Sequence, residues 1–232
     1  MEIKKKFPSA SVVRMDTDTT QNKGSHERII SGFKNGNYDI LLGTQMISKG
    51  LDFPRVTLVG VINADSSLNI PDFRSSERTF SLLNQVAGRA GRSSLKGEVI
   101  IQTFNPDNKT IECVKEQDYN KFYDYEMNIR KTLKYPPYYY LASIKITSKD
   151  YDVASQEIKK VYNYLKNNLD KSSIILGPST AAMFRVNNVY RFQIVIKYRF
   201  DEKLHDTLKD LDKMYINNNK ANIEIDINPI RI

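Results

Sequence analysis

A chain of 232 residues, 40% apolar and 27% charged, is long enough for one or two domains with real cores. Its longest apolar run, 56–62, is far too short to span a bilayer, and its single cysteine, Cys113, excludes an internal disulfide or a cysteine-based zinc cluster. The formal charge of +8 favours an anionic partner, nucleic acid before membrane; nothing at the start reads as a secretion signal, so a cytoplasmic address is expected.

Residues 11–16 read as a short strand, and 17–24 as a connection rich in Thr, Asp and Asn. Ser25 is placed to cap a helix with Ile29, Ile30 and Phe33 on one face and Gly36 near its end. Residues 38–42 form a buried strand closed by Gly43-Thr44-Gln45, and 56–62 form another. A loop over 63–73 leads into a helical pattern that begins at Arg74 and runs on into 85–92, and 98–103 supply one more strand. Strands alternating with helices predict an α/β lobe, a mostly parallel sheet covered on both faces. Ligands of such sheets gather at the carboxyl ends of the strands, where 43–53 begins.

Residues 108–134 read as helical, with Ile111, Val114, Phe122, Tyr125, Met127 and Ile129 available for burial. Tyr135-Pro136-Pro137 stops that helix, since proline disfavours the α conformation before it and donates no hydrogen bond. The tyrosines at 138–140 either stack on bases or pack between domains. Beyond them the pattern changes to a strand over 141–147 and a helix with Ala154, Ile158, Val161, Leu165 and Leu169 at helical spacing. A short extended piece at 173–176 precedes a hairpin over 182–199 that turns at Asn187-Asn188. Asp201 is expected to cap a helix holding Leu204, Leu208, Leu211 and Met214, and 223–227 close as a strand. That order predicts a small α+β domain, ferredoxin-like or close to it. The expected divisions are 1–112, a helical connector over 113–138, and 139–232.

Two stretches carry chemistry. In Gln85-Val86-Ala87-Gly88-Arg89-Ala90-Gly91-Arg92, helical spacing lines up Gln85, Arg89 and Arg92. Each glycine costs about 1 kcal/mol against alanine inside a helix, so close approach of a bulky anion is one reason to keep them. Paired guanidinium groups suit the spread charge of a phosphoryl group. The alternative is a helix ending at Gly91 with its arginines in a favourable last turn. In the loop 43–54, Gly43 and Gly50 free the backbone, Thr44 and amides suit a phosphate oxygen, Lys49 adds a point charge, and Asp52 suits a sugar hydroxyl. A plain polar loop, with Asp52 making a local turn bond, is the alternative there. On the hairpin's second strand, Tyr190, Phe192, Ile194, Ile196 and Tyr198 point one way; Arg191, Gln193, Val195, Lys197 and Arg199 point the other. The basic side is either a solvated outer face or a surface for a DNA backbone. His26 and His205 stand far in sequence from acidic or cysteine partners and read as surface residues, so no metal site is expected.

Thr44-x5-Gly50-x-Asp52 followed by Gln85-x-x-Gly88-Arg89-x-Gly91-Arg92 resembles motifs V and VI of superfamily 2 helicases. Gly43-Thr44-Gln45-Met46, Asn63-Ala64-Asp65 and Pro71-Asp72-Phe73-Arg74-x-x-Glu77-Arg78-Thr79-Phe80 narrow the resemblance to the primosomal replication-restart helicases. Arg14-Met15-Asp16-Thr17-Asp18-Thr19, Tyr135-Pro136-Pro137-Tyr138, Leu176-Gly177-Pro178 and Tyr190-Arg191-Phe192-Gln193 extend it over most of the chain.

The resemblance implies a second RecA-like helicase lobe, incomplete at its N-terminus, followed by the family's C-terminal domain. It implies part of an ATP-dependent 3′–5′ DNA helicase that binds branched DNA and reloads the replication machinery at stalled forks. Arg89 and Arg92 would then be arginine fingers for a γ-phosphate, with Gln85 sensing it; Gly50 and Asp52 would meet the nucleotide ribose, and Thr44 the single strand. Lys49, Arg191 and Lys197 join them as candidate DNA contacts. ATP and Mg²⁺ are the implied cofactors. Single-stranded and forked DNA, other primosome components and single-strand-binding proteins are the implied partners. Three family features are absent from the sequence: the Walker A loop, the Asp-Glu-x-His pattern, and the cysteine cluster through which the family binds zinc. A C-terminal fragment without ATPase activity of its own is therefore expected. A non-enzymatic DNA- or primosome-binding module and another superfamily 2 fork-remodelling helicase are the alternatives.

Overall fold

A computed structural model describes residues 2–16, 19–20, 24–44, 53, 55–88 and 97–230. The chain divides into two compact units, Met1–Ile70 with Arg74–Phe122, and Pro71–Phe73 with Tyr123–Ile232.

The first unit holds α1 (Glu2–Lys6), β1 (Val12–Met15), α2 (Ser25–Lys34), β2 (Ile40–Gly43) and β3 (Leu58–Val61). It continues with α3 (Asp65–Leu68), α4 (Ser75–Ala87), β4 (Glu98–Ile101), α5 (Lys109–Glu116) and the opening residues of α6 (Tyr119–Thr132). β1 pairs parallel with β2, and β3 parallel with β4. The predicted parallel direction is there, but among the described residues the strands form two separate pairs rather than one sheet. The core gathers Phe80 and Leu83 of α4, Ile111 and Val114 of α5, and Phe122 of α6. The Phe80 and Phe122 rings stack 4.1 Å apart. Val61 and Ile101 pack against this cluster, while Leu58 and Ile100, on the opposite face of the same strands, are exposed. The β3–β4 pair is thus covered on one face, not two, among the described residues.

Three local expectations are corrected. Ser25 is the first helical residue of α2; the cap is Gly24, in the left-handed region at φ 82° with no side-chain bond. The stretch 63–73 contains α3, whose start is held by Asn63 Oδ1 accepting from the Ser66 amide at 3.1 Å. The helix expected over 108–134 is two helices, because Gln117 adopts φ 55° and ends α5. Asn108 starts α5 by accepting from the Thr110 amide at 2.9 Å.

The second unit adds β5 (Tyr140–Ser148), α7 (Tyr151–Asn168), β6 (Ile174–Val186), β7 (Val189–Tyr198), α8 (Leu204–Tyr215) and β8 (Asn222–Ile227). Its strands form one antiparallel sheet in the order β6-β7-β5-β8. In the centre, Ile144 of β5 faces Ile194 of β7 on one side and Ile225 of β8 on the other. Ala154, Ile158, Val161 and Leu165 of α7, with Leu204, Leu208 and Leu211 of α8, complete the core. That stripe recurs every three or four residues, which is why α7 forms where the spacing predicts it. Asp150 begins the helix, its Oδ1 accepting from the amides of Asp152 and Val153.

Differences here are also local. The extended piece at 173–176 and the first hairpin strand are one strand, β6, with register shifts between Leu176 and Ser179 and between Thr180 and Arg185. Gly177 sits at the first shift with φ 102°, where a Cβ would lie 2.9 Å from the Gln193 carbonyl oxygen, so the bend requires glycine. The hairpin turns at Asn187 and Asn188 as predicted, both with positive φ. Asp201 does not occupy the cap position of α8, which falls to Lys203. Its carboxylate instead accepts from the Asp170 and Lys203 amides and from Ser173 Oγ, the last at 2.6 Å. Met214, expected on the core face of α8, is exposed. No helix among the described residues is long and apolar enough to cross a membrane.

Candidate functional site

In the first unit the parallel strands β1 and β2 end together, with Met15 opposite Gly43. Thr44 follows directly at that carboxyl end and is exposed. Beside it in register, Asp16 closes β1 as the anchor of its turn. Its Oδ1 accepts from the Thr19 amide at 3.0 Å, its own carbonyl accepts from Thr20 Oγ1 at 2.7 Å, and Arg14 Nε pairs with the carboxylate. The Thr19 amide does most to hold the Asp16 carboxyl below its ordinary value; burial opposes it, and Thr19 Oγ1 and the Arg14 guanidinium reinforce it.

α4 carries Phe80 and Leu83 inward and leaves Gln85 exposed in its last turn. The helix ends at Ala87, and the Gly88 amide donates to the Asn84 carbonyl at 3.0 Å. Of the face expected to hold Gln85, Arg89 and Arg92, Gln85 lies on α4. Gly88 has φ −71°, and a Cβ there would meet only ordinary contacts among the described residues, so this cap does not itself demand glycine. Arg89, Arg92, Gly50, Asp52 and Lys49 lie outside the described residues.

Asn63 and Asp65 prove to be fasteners. Asp65 accepts from the Phe104 amide at 3.0 Å and from Thr103 Oγ1 at 2.8 Å, tying the exit of β4 to α3. The Phe104 amide leads in keeping the Asp65 carboxyl below its ordinary value. Phe73 belongs to the second unit, where its ring stacks on Tyr135 at 5.3 Å and lies under the Arg130 guanidinium.

On β7, Phe192, Ile194 and Ile196 fill the core as the alternation predicts. The opposite face differs from expectation. Lys197 is only 7% exposed; its ammonium donates to the Leu133 carbonyl at 2.8 Å and lies 3.5 Å from the Tyr135 ring centroid. Burial pushes its pKa down, with the nearby Lys134 charge adding to the effect. Lys197 is therefore a buried fastening of the 133–135 segment, and its assignment as a DNA contact is corrected. Arg191 is half-buried, with its Nε enclosed and unbonded. Past the end of β7, Arg199 and Phe200 join Lys131 and Tyr138–140 around a cavity of about 550 Å³. The tyrosine run was visible in the sequence. Its meeting with Arg199 and Phe200 was not, because β5 and β7 are brought together only by sheet pairing.

A family model described as Helicase conserved C-terminal domain matches residues 1–94, and one described as Primosomal protein N C-terminal domain matches residues 131–230. The replication restart protein PriA of Bacillus subtilis strain 168 is 49% identical over 98% of this chain and 29% of its own length. The PriA of Chlamydia pneumoniae is 40% identical over 97% of this chain and 30% of its own length. That of Borreliella burgdorferi is 38% identical over 100% of this chain and 35% of its own length. This chain belongs to the PriA replication restart family. It spans about three-tenths of the length of these PriA relatives. The helicase match makes the first unit a RecA-like lobe built of helices and parallel-paired strands. The second match takes in the antiparallel sheet and the cavity at the end of β7.

Proposed function

We propose that this chain supplies motifs V and VI and the C-terminal DNA-binding domain of an ATP-dependent 3′–5′ DNA helicase that restarts replication at stalled forks. The observation that carries the reading is the pair of matches, a helicase C-terminal domain followed by a primosomal C-terminal domain, along one chain 49% identical to a replication restart protein. Exposed Gln85, on the turn just before Gly88 and Arg89, and exposed Thr44, at the carboxyl end of β2, support it. The second unit's element order, strand-helix-strand-strand-helix-strand in the spatial order β6-β7-β5-β8, supports a ferredoxin-like arrangement for the DNA-binding domain.

In this reading ATP with Mg²⁺ supplies the phosphoryl group whose hydrolysis drives movement. Arg89 and Arg92 stabilise charge that grows on that group, Gln85 senses it, Gly50 and Asp52 hold the sugar, and Thr44 and Lys49 hold the single strand. The other wall of the cleft would come from a first helicase lobe, so this chain alone turns over no ATP. Zinc, which family members hold through cysteines, would be bound elsewhere than in this chain, whose one cysteine is the buried Cys113. Single-stranded and forked DNA, primosome components and single-strand-binding proteins would be the partners, at a cytoplasmic address.

The test is Arg92→Ala in a protein that joins this chain to a first lobe. The expected result is a fall in kcat of about 10³–10⁵ with DNA affinity nearly unchanged. A loss confined to DNA binding refutes the assignment.

A further inference from the structure

We propose that the cavity at the end of β7 is a stacking subsite for single-stranded nucleic acid, taking a base against Phe200 and Tyr140 and the adjoining phosphates on Arg199 and Lys131. The inference rests on the DNA-binding part of the function proposed above and locates one contact within it.

Aromatic exposure is the first observation. Phe200 is 82% exposed and Tyr140 53%, with Tyr138 beside them, although the same sheet buries Phe192 and Ile196. A lone exposed ring is ordinary; several around one concavity mark a binding surface. They are also held in place. Tyr140 lies in register opposite Tyr198 with ring centroids 5.6 Å apart, and Tyr198 packs on the core. Pro136 and Pro137, with fixed φ, stiffen the approach to the tyrosine run.

Charge is the second observation. Lys131, in the last turn of α6, and Arg199 are exposed on the rim. Lys134 lies 5.7 Å from the Tyr139 ring centroid. Among the described residues no carboxylate lines the cavity. Among the described residues Lys131, Lys134 and Arg199 form no ion pair, whereas their neighbour Lys197 is buried on Leu133. The ligand is therefore anionic. The cavity's volume, about 550 Å³, is that of an ordinary small-ligand cleft. An acidic peptide would satisfy the cations but leave successive flat rings without use. Single-stranded nucleic acid uses both, stacking bases on aromatic faces while cations follow its backbone.

The test measures binding of labelled oligothymidylate, and of an abasic deoxyribose-phosphate strand of equal length, to the 232-residue chain by fluorescence anisotropy. The chain is expected to favour the strand with bases at least about fivefold. Phe200→Ala, at a position too exposed to support the fold, is expected to abolish that preference with an unchanged circular dichroism spectrum. Arg199→Gln is expected to weaken both strands alike and to lower the salt slope by about one. Full base preference retained in both Phe200→Ala and Tyr140→Leu overturns the subsite. So does an acidic peptide whose binding requires Phe200 and Arg199 while oligonucleotide binding does not. A chain that binds neither strand overturns the DNA-binding reading itself, and the subsite with it.

Discussion

The two units treat the same kind of residue differently. In the second, isoleucines and leucines of β5, β7, α7 and α8 are sealed from solvent, whereas in the first Leu58 and Ile100 are exposed on β3 and β4. Strand length and number account for this. Four antiparallel strands of up to 13 residues present a face that two helices can cover, whereas pairs of four-residue strands present little on either side. Burying one such side chain contributes about 1.5–3 kcal/mol, which the second unit realises and the outer face of β3–β4 does not. The second unit's core is accordingly closed by its own elements, while among the described residues the outer face of β3–β4 stays uncovered.

The largest effect that tests this contrast is cavity formation. Leu165→Ala, deep in the second unit, is expected to cost about 2–5 kcal/mol in denaturant unfolding. Ile100→Ala, on the exposed face of β4, is expected to cost no more than about 0.5 kcal/mol. Equal losses would break the comparison.

A smaller effect concerns pH. Burial raises the Glu157 carboxyl, but Lys160, the Tyr215 hydroxyl at 2.7 Å and Lys220 together outweigh it and leave its pKa below the ordinary 4.5. A depressed carboxylate pKa contributes stability above the ordinary value that is lost as pH falls through the folded one. Glu157→Gln is therefore expected to flatten the acid limb of the second unit's stability curve below about pH 4.5 and to leave its shape near neutrality unchanged. Unchanged acid sensitivity would count against this pairing. The same pair pushes the Tyr215 hydroxyl far above the tyrosine range, chiefly by burial, so it remains a donor at any working pH.

The smallest expected effect is none. Lys197→Met should leave oligonucleotide affinity and its salt dependence as they were, since that ammonium faces Leu133 and Tyr135 rather than solvent. A reduced salt slope would restore Lys197 as a phosphate contact and sharpen the division between buried and exposed cations in the second unit.

How legible each region was follows from the distance over which its information is written. The stripe of α7, the alternation of β7 and the Asn187-Asn188 turn are encoded within a few residues, and all appear where the sequence puts them. The role of Lys197 is written 64 residues away, at Leu133, and period-two reasoning cannot see it. The break at Gln117 is hidden because a residue with no turn signature adopts a left-handed conformation there. In the helicase stretch the sequence offered Gly91 as the helix end, whereas α4 is capped at Gly88. The reading of Arg89, Arg92, Gly50 and Asp52 rests on spacing and the family resemblance alone, since they lie outside the described residues, whereas the cluster at Phe200 needed the folded sheet.

The clasp on Lys197 also sets its reactivity. Burial makes the amine readier to lose its proton, which in an open setting would make it a better nucleophile than its neighbours. Yet the nitrogen is shut in by the carbonyl and ring that hold it, while Lys131 and Lys134 stand in solvent. An acylating reagent would mark those two and pass over the lysine that is chemically the more willing, until β7 and the 133–135 segment come apart.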